Sequence, residues 1–545
     1  MYFSNIASSI GFNDGILNAE TAINTHKNHP SISKIRQIHC DRRDSFDFNL
    51  VNDSYVETKL KKINPRKATG YDTIPGKLIR LAHSELASPI CRVLNCCIAT
   101  RTFPGVMKLA ELSPVFKKND NLTKGNYRPV SVLSCISKVY ESILNDQLVA
   151  YFCDMFNKLV SAFRKGYSCQ SLLIRLIDDW KNALDNNNII GAVFMDLSKA
   201  FDCLSHSLLI AKLNAYGMTY SSCCLLSDYL TDRKQRVKLG SSRSTWNDIT
   251  KGVPQGSILG PLLFNVFMND LFFFIERCSL YNYADDNSLS AVSKDISEVI
   301  GSLKHDCQVS IDWFENNGMQ ANPDKFHFML LSSKVLHVDK LDIGNGTIIC
   351  SEPYIKALGV VIDHKLNFSE HVSASCKKAA RQLNALARIS RFLDVHSRKI
   401  IYNSFICSNF NYCPLVWTFC GKMNNKKIER IQERALRILY RDYTSELSQL
   451  FEKSGEDTVL ISRLKCLSIE MFKATHGMSP QCLQELFQIK DTPYSLRAPL
   501  ILEQPKRRCT IHMACAQYLI WDPDYGMIYL VISRAVIIWM ILKHV

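Results

Sequence analysis

Hydrophobic and polar positions follow two rhythms along this chain, and the changes of rhythm mark its elements. Residues 189–195, IIGAVFM, are an unbroken run of β-branched, aromatic and small residues, the pattern of a buried strand. The run ends at Asp196, and residues 198–216 return to helical spacing. Residues 258–272 are largely apolar, with Pro261 in the first turn of the predicted helix, where a missing N–H costs nothing. LYNYADDNSLSAV predicts two short strands around an acidic turn. Residues 296–317 predict a helix closed by Asn317 and Gly318. FHFMLL and the stretch 356–363 predict further strands. Upstream, Pro65, Gly70 and Pro75 punctuate residues 60–82, with a helix expected after Pro75. Residues 109–145 read as a strand at 112–116, a polar loop containing 126–129, and a helix from about Ser134. Residues 1–50 are mixed polar and weakly periodic, which reads as a linker. From 368 to 441 the pattern is helical and basic. Strands and helices therefore alternate irregularly, which predicts an α+β chain with a helical C-terminal part.

Composition narrows the picture. With 545 residues, 47% hydrophobic and 21% charged, the chain can build a sizeable core, and global disorder is excluded. Lys plus Arg is 66 against 51 for Asp plus Glu, and the net charge of +15 favours a polyanionic partner. The 21 cysteines contain no C-x-x-C pair, which excludes a zinc ribbon or a redox dithiol. Doublets such as Cys96-Cys97 and Cys223-Cys224 read as small buried hydrophobes in a reducing compartment. The opening MYFSNIASSIGFNDG lacks the basic start and apolar run of a secretory signal. Residues 527–542, MIYLVISRAVIIWMIL, fall short of the ~20 a membrane span needs and hold a central Arg534. They are expected to form a buried helix or strand, or a tail foreign to the rest, and no membrane partner is expected.

Two acidic sites stand out by position. Asp196 closes a strand, and Asp285 and Asp286 sit at the tip of a predicted hairpin. Carboxylates at such places are costly to bury unless a metal or another cation compensates them. Two Mg²⁺ ions about 3.5–4 Å apart require carboxylate bridges and hard oxygen ligands. An Asp-Asp pair alone reads more readily as an exposed turn.

The surrounding residues resemble the reverse transcriptase family, and within it the enzymes of non-LTR (LINE-type, jockey-like) retrotransposons. FMDLSKAFD at 194–202 resembles its motif A, GVPQGSILGPLLFNVFMNDL at 252–271 its motif B, and YADD at 283–286 its motif C. GMQANPDK at 318–325 and KALGVVID at 356–363 resemble motifs D and E. KATGYDTIP, NYRPVSVLSCISKVYE and FRKGYSCQS resemble fingers motifs of the non-LTR branch. The likeness runs over roughly 55–440, in the family's order.

The resemblance implies a right-hand polymerase: fingers, a palm with an antiparallel sheet, and a helical thumb. The boundaries it suggests are a linker-like segment 1–54, fingers 55–188, palm 189–363, thumb 364–445, a C-terminal family region 446–510 and an apolar tail 511–545. The reverse transcriptase domain itself is expected over about 98–363. The implied activity is RNA-directed DNA synthesis, with two Mg²⁺ as cofactors and an RNA template, a DNA primer and dNTPs as partners. An intracellular, nuclear location goes with it. Asp196, Asp285 and Asp286, with the Leu197 carbonyl, would hold the metals. Phe201 matches the aromatic gate that excludes a ribose 2′-OH, although plain core packing would also suit it. Gln255 and Gly256 match the turn along the nascent base pair, glycine allowing backbone to approach substrate. Lys325 matches the lysine proposed to protonate pyrophosphate, though a solvated surface lysine fits as well. Lys117 and Arg128 could clamp the triphosphate. Asp202 reads as structural, a negative charge at a helix start.

Residues 377–441 hold 14 Lys and Arg against Asp394, Glu429 and Glu433. Lys427, Arg430, Arg434, Arg437 and Arg441 recur at steps of 3 and 4, one stripe of a helix, with Ile428, Ile431, Ala435 and Ile438 about 100° away as its anchor. The stripe is expected to contact nucleic acid. No endonuclease, ribonuclease H or maturase pattern is found beside the polymerase motifs. Two alternatives remain, a non-catalytic nucleic-acid-binding remnant and a group II intron-type maturase. The intact Asp196, Asp285, Asp286, Gln255 and Gly256 favour an active polymerase.

Overall fold

The computed structural model describes residues 18–40 and 44–487, apart from 118, 335, 337 and 345, and three later strands. In chain order its first strands are β1 (Leu109–Phe116), β2 (Tyr127–Val132), β3 (Ile189–Met195), β4 (Arg233–Leu239), β5 (Ser242–Arg243), β6 (Asn247–Ile249), β7 (Ser279–Tyr283), β8 (Asp286–Ser293) and β9 (His327–Leu331). They form two sheets. One has the order β2-β1-β4-β5, with β6 also on β4 and β1 parallel to β4. The other, of order β7-β8-β3-β9, is antiparallel throughout.

The second sheet shows why the 189–195 run is apolar at every step. Side chains of a strand alternate between faces, and both faces of β3 are covered. Ile189, Val193 and Met195 join a core with Val299, Leu303 and Cys307 of the helix Ile296–Asn316. Ile190 and Ala192 join a second core with Leu172, Leu176 and Trp180 of the helix Cys169–Asp185. Trp180 satisfies its indole N–H on Ser290 Oγ of β8 at 2.8 Å. The helix from Ser134 also forms: Ser134 caps Cys135–Phe152, its hydroxyl accepting from the Ser137 amide at 3.1 Å.

The helical region past 368 is built on Ser369–Ile389 and Lys422–Tyr440, which pack together beside the second core. The chain then returns. Helix Gln481–Gln484 packs on Cys169–Asp185, and Glu485 binds Lys158 at 2.6 Å and Arg175 at 3.2 Å.

Three expectations change here. The N-terminal stretch read as a linker carries two helices, Ala19–Thr25 and Pro30–Ile38, which bury Ala19, Ala22, Ile32 and Ile35. Each is too short, with too few apolar positions, for its period to show. The stretch 356–363 is not one strand. Leu358, at φ +45°, and Gly359 turn it into a hairpin of Tyr354–Ala357 and Val360–Asp363. Of the cysteine doublets, Cys97 and Cys223 are buried but Cys96 is exposed and Cys224 half-buried. The apolar tail holds strands, Tyr518–Asp522, Met527–Ile532 and Val536–Ile541, paired in one antiparallel sheet, and its side chains lie outside the description, as do residues 488–517. Among the described residues no helix is long and apolar enough to cross a membrane.

Candidate active site

Register assembles the acidic site. Met195 of β3 faces Asn287 of β8, so one further step sets Asp196 level with Asp286. Tyr283 pairs with Asp286, which leaves Ala284 and Asp285 as the two-residue turn. Ala284 takes φ +58°, a left-handed conformation disfavoured for a residue with a Cβ. Such strain persists where surroundings enforce it, and two buried amides do so. Asn282 Nδ2 donates to the Ala284 carbonyl at 2.8 Å and to Asn287 Oδ1 at 2.9 Å, and Asn287 Nδ2 donates to the Asp285 carbonyl at 3.2 Å. The Asn282 backbone is itself strapped by Leu159 and Ser161. Neither asparagine stands out from the sequence by its motif. Polar residues inside a strand of this burial are the signal that points to them.

Asp285 and Asp286 both feel the charge of Asp196. Burial, and after it the charge of Asp196, raises the Asp285 carboxyl above the usual range, while Arg128 and Lys117 pull it back. Asp286 opens to solvent on one side, yet its crowded surroundings and the charges of Asp285 and Asp196 push it up to about 6. Opposite stands Lys325, in the turn Pro323–Lys325, with Nζ 3.1 Å from Asp196 Oδ2. Two backbone bonds hold this loop on the end of β3: Ser198 N to Gln320 O at 3.0 Å and Asn322 N to Asp196 O at 3.2 Å. The bridge leaves the Leu197 carbonyl out.

Among the described residues, no three His, Cys, Asp or Glu side chains are gathered closely enough to hold an ion as they stand. The donor chemistry nevertheless fits a hard dication: oxygen donors only, on adjacent strand ends, with a mutual repulsion that such an ion relieves.

Phe201 stacks on Phe264 with centroids 4.1 Å apart and meets the exposed Phe163 edge-on at 5.8 Å. It is half-buried, so one edge stays open. Phe163, within the FRKGYSCQS stretch, is a neighbour that the sequence does not reveal. Gly252 lies against the Phe201 carbonyl, where an added Cβ would come within 2.6 Å. Gly256 takes φ +133°. Its Cβ would strike the Ser131 carbonyl at 2.4 Å, so the close approach the structure shows is to strand β2. The Ser131 amide donates to the Gln255 carbonyl at 2.7 Å. Asp202 does lie in the first turn of a short helix, Ala200–Cys203, but it also accepts from Gln255 Nε2 at 2.9 Å. Lys117 and Arg128 lie exposed at the loop end of the β1–β2 hairpin.

Comparison with known proteins agrees with this geometry. Residues 116–362 match the family described as reverse transcriptase (RNA-dependent DNA polymerase). The chain carries a reverse transcriptase domain. Over 395 residues it is 26% identical to a protein of Drosophila melanogaster described as a probable RNA-directed DNA polymerase from transposon BS, covering 70% of this chain and 43% of that one. It is 25% identical over 409 residues to the RNA-directed DNA polymerase from mobile element jockey of the same fly, covering 72% and 44%. A putative COX1/OXI3 intron 2 protein of Saccharomyces cerevisiae is 26% identical over 231 residues, 42% of this chain and 24% of that protein. The reverse transcriptase domain is thus of the non-LTR retrotransposon type, and the chain spans under half the length of the two Drosophila relatives.

Beyond that domain, the basic stripe is only partly as expected. Ile428, Ala435 and Ile438 are buried and Ile431 partly so, which confirms the anchoring face of Lys422–Tyr440. Lys427, Arg430 and Arg434 are exposed, Arg434 reaching Asn384 of the neighbouring helix at 2.6 Å. Arg437 is half-buried, paired with Glu433 at 2.9 Å and donating to the Ser445 carbonyl. Arg441 lies past the helix end as its left-handed cap, at φ +53°.

Proposed function

We propose that the chain is an RNA-directed DNA polymerase that adds dNTPs to a primer 3′-OH against an RNA template. The observation that carries this reading is the β3–β8 register, which brings Asp196 level with the Asp285–Asp286 turn inside a reverse transcriptase domain. Asp196, Asp285, Asp286 and the Leu197 carbonyl are the groups that would hold two Mg²⁺. Bound there, the ions supply a lowered pKa at the primer hydroxyl and neutralise charge on the triphosphate.

The chain's own residues account for the rest. Lys325, on Asp196, stands where its ammonium can turn to a leaving pyrophosphate and donate a proton. The Phe201 ring, backed on one face by Phe264, excludes a ribose 2′-OH. Gln255 and Gly256 present a fixed surface to the nascent base pair, and Lys117 and Arg128 meet the triphosphate. Lys427, Arg430 and Arg434 hold the duplex backbone without reading sequence. The polymerase belongs to a non-LTR element, since the mobile-element relatives match far more of the chain than the intron protein does.

Primer extension with purified chain on poly(rA)/oligo(dT), Mg²⁺ and dTTP tests the reading. Template-dependent incorporation is expected. Template binding without incorporation would favour a non-catalytic remnant.

A further inference from the structure

Gln255 is held at both of its ends. Its backbone carbonyl accepts from Ser131 of β2, and Gly256 behind it fits against the Ser131 carbonyl with no room for a Cβ. The side chain is fixed from the opposite direction by Asp202, whose Oδ1 accepts from Gln255 Nε2 at 2.9 Å. An ionised carboxylate only accepts, so the amide must turn its nitrogen toward Asp202. Asp202 lies beside Phe201 on the short helix Ala200–Cys203, and Gly252 packs on the backbone of both residues. The gate residue and the carboxylate that holds Gln255 are therefore one rigid piece. The carboxylate borders a small crevice with Ser131, Lys251, Pro254 and Gln255, partly withdrawn from water. Withdrawing a carboxylate is costly where packing alone is needed, because an apolar side chain would fill the space more cheaply.

We infer that Asp202 is a positioning residue for dNTP binding, acting through Gln255 by fixing the orientation of its amide. The inference rests on the polymerase reading. A helix-start charge, the role its place in the sequence suggests, would not require contact with Gln255.

The test is steady-state dNTP incorporation at saturating primer–template by Asp202→Ala, Gln255→Ala, the double variant and Asp202→Asn, with Tm measured alongside. Each alanine variant is expected to raise the KM for dNTP by about tenfold while kcat stays within about twofold. The double variant is expected to be no worse than either single one, since both remove the same interaction. Asp202→Asn keeps an acceptor oxygen and is expected to stay within about threefold of the unmutated KM. Penalties that multiply in the double variant would overturn the assignment. So would an Asp202→Ala protein that loses Tm with its KM unchanged. Incorporation by the unmutated chain is read separately, and its absence would sink the polymerase reading and this assignment with it.

Discussion

The acidic hairpin β7–β8 and the basic helix Lys422–Tyr440 are the two charged regions of the proposed polymerase, but they hold their charge in opposite ways. Around the hairpin the backbone that carries the charges is constrained. Asn282 and Asn287 brace the acidic turn from inside, Lys325 meets Asp196, and the loop after Met319 is bonded to the end of β3. On Lys422–Tyr440 only the apolar face is fixed. Arg430 projects to solvent, and Lys427 and Arg434 each reach one amide oxygen. The difference follows from the work proposed for each. Chemistry at one phosphorus tolerates displacement poorly, whereas a phosphate backbone is gripped by any well-spaced cations.

On that contrast, damage inside the β7–β8 turn should cost far more than damage to the stripe. Asn282→Ala removes both bonds that hold the Ala284 carbonyl and Asn287. It is expected to cost about 1–3 kcal/mol of stability. It should also lower kcat by roughly a hundredfold, because the turn can relax away from its strained geometry. A melting curve and single-turnover incorporation check both, and a normal kcat would show that the turn needs no brace. Phe201→Ala comes next. It should cut the dNTP-over-rNTP ratio of kcat/KM by at least about tenfold with dNTP use little slowed. An unchanged ratio would return Phe201 to plain core packing against Phe264.

The stripe should respond more mildly. Arg430→Gln with Arg434→Gln should weaken binding to all sequences alike. It should also flatten the plot of log affinity against log salt, by roughly 0.7–0.9 for each phosphate no longer neutralised. Incorporation at saturating template should hold. An unchanged salt slope with a lower Tm would mean that the stripe packs against protein.

The smallest effect is on pH. Asp286 titrates at about 6 in the folded chain against an ordinary 3.8, so the folded state holds that proton more tightly. Its contribution to stability therefore falls as pH rises from about 4 through about 6 and stays low above that. Asp286→Asn should raise Tm modestly at pH 8 in divalent-free buffer, with the gain vanishing toward pH 4. A gain of the same size at both pH values would remove charge repulsion as its cause.

How far the sequence is legible follows the same division. Asp196, Asp285 and Asp286 can be read because a strand's end and a hairpin's tip are visible in hydrophobic rhythm, and β3 has the predicted bounds. What escapes depends on interactions between distant segments. Asp202 looks like a local helix charge because its partner, Gln255, is fixed only once the chain folds. The fit of Gly256 against Ser131 is likewise tertiary and leaves no mark in the sequence. The helices before residue 40 bury two to three residues apiece, too few to set a period. Arg437 and Arg441 keep the stripe's spacing but not its exposure or helix, since an ion pair takes one and the helix cap the other.

The central claim is that the carboxylates at the β3 end and the β7–β8 turn carry out polymerisation. Its most direct test compares the unmutated chain with Asp285→Asn, measuring Mg²⁺-dependent dTTP incorporation and template–primer affinity on the same preparations. The account predicts incorporation reduced at least about a thousandfold, with affinity within about twofold. Incorporation that survives in Asp285→Asn would contradict it.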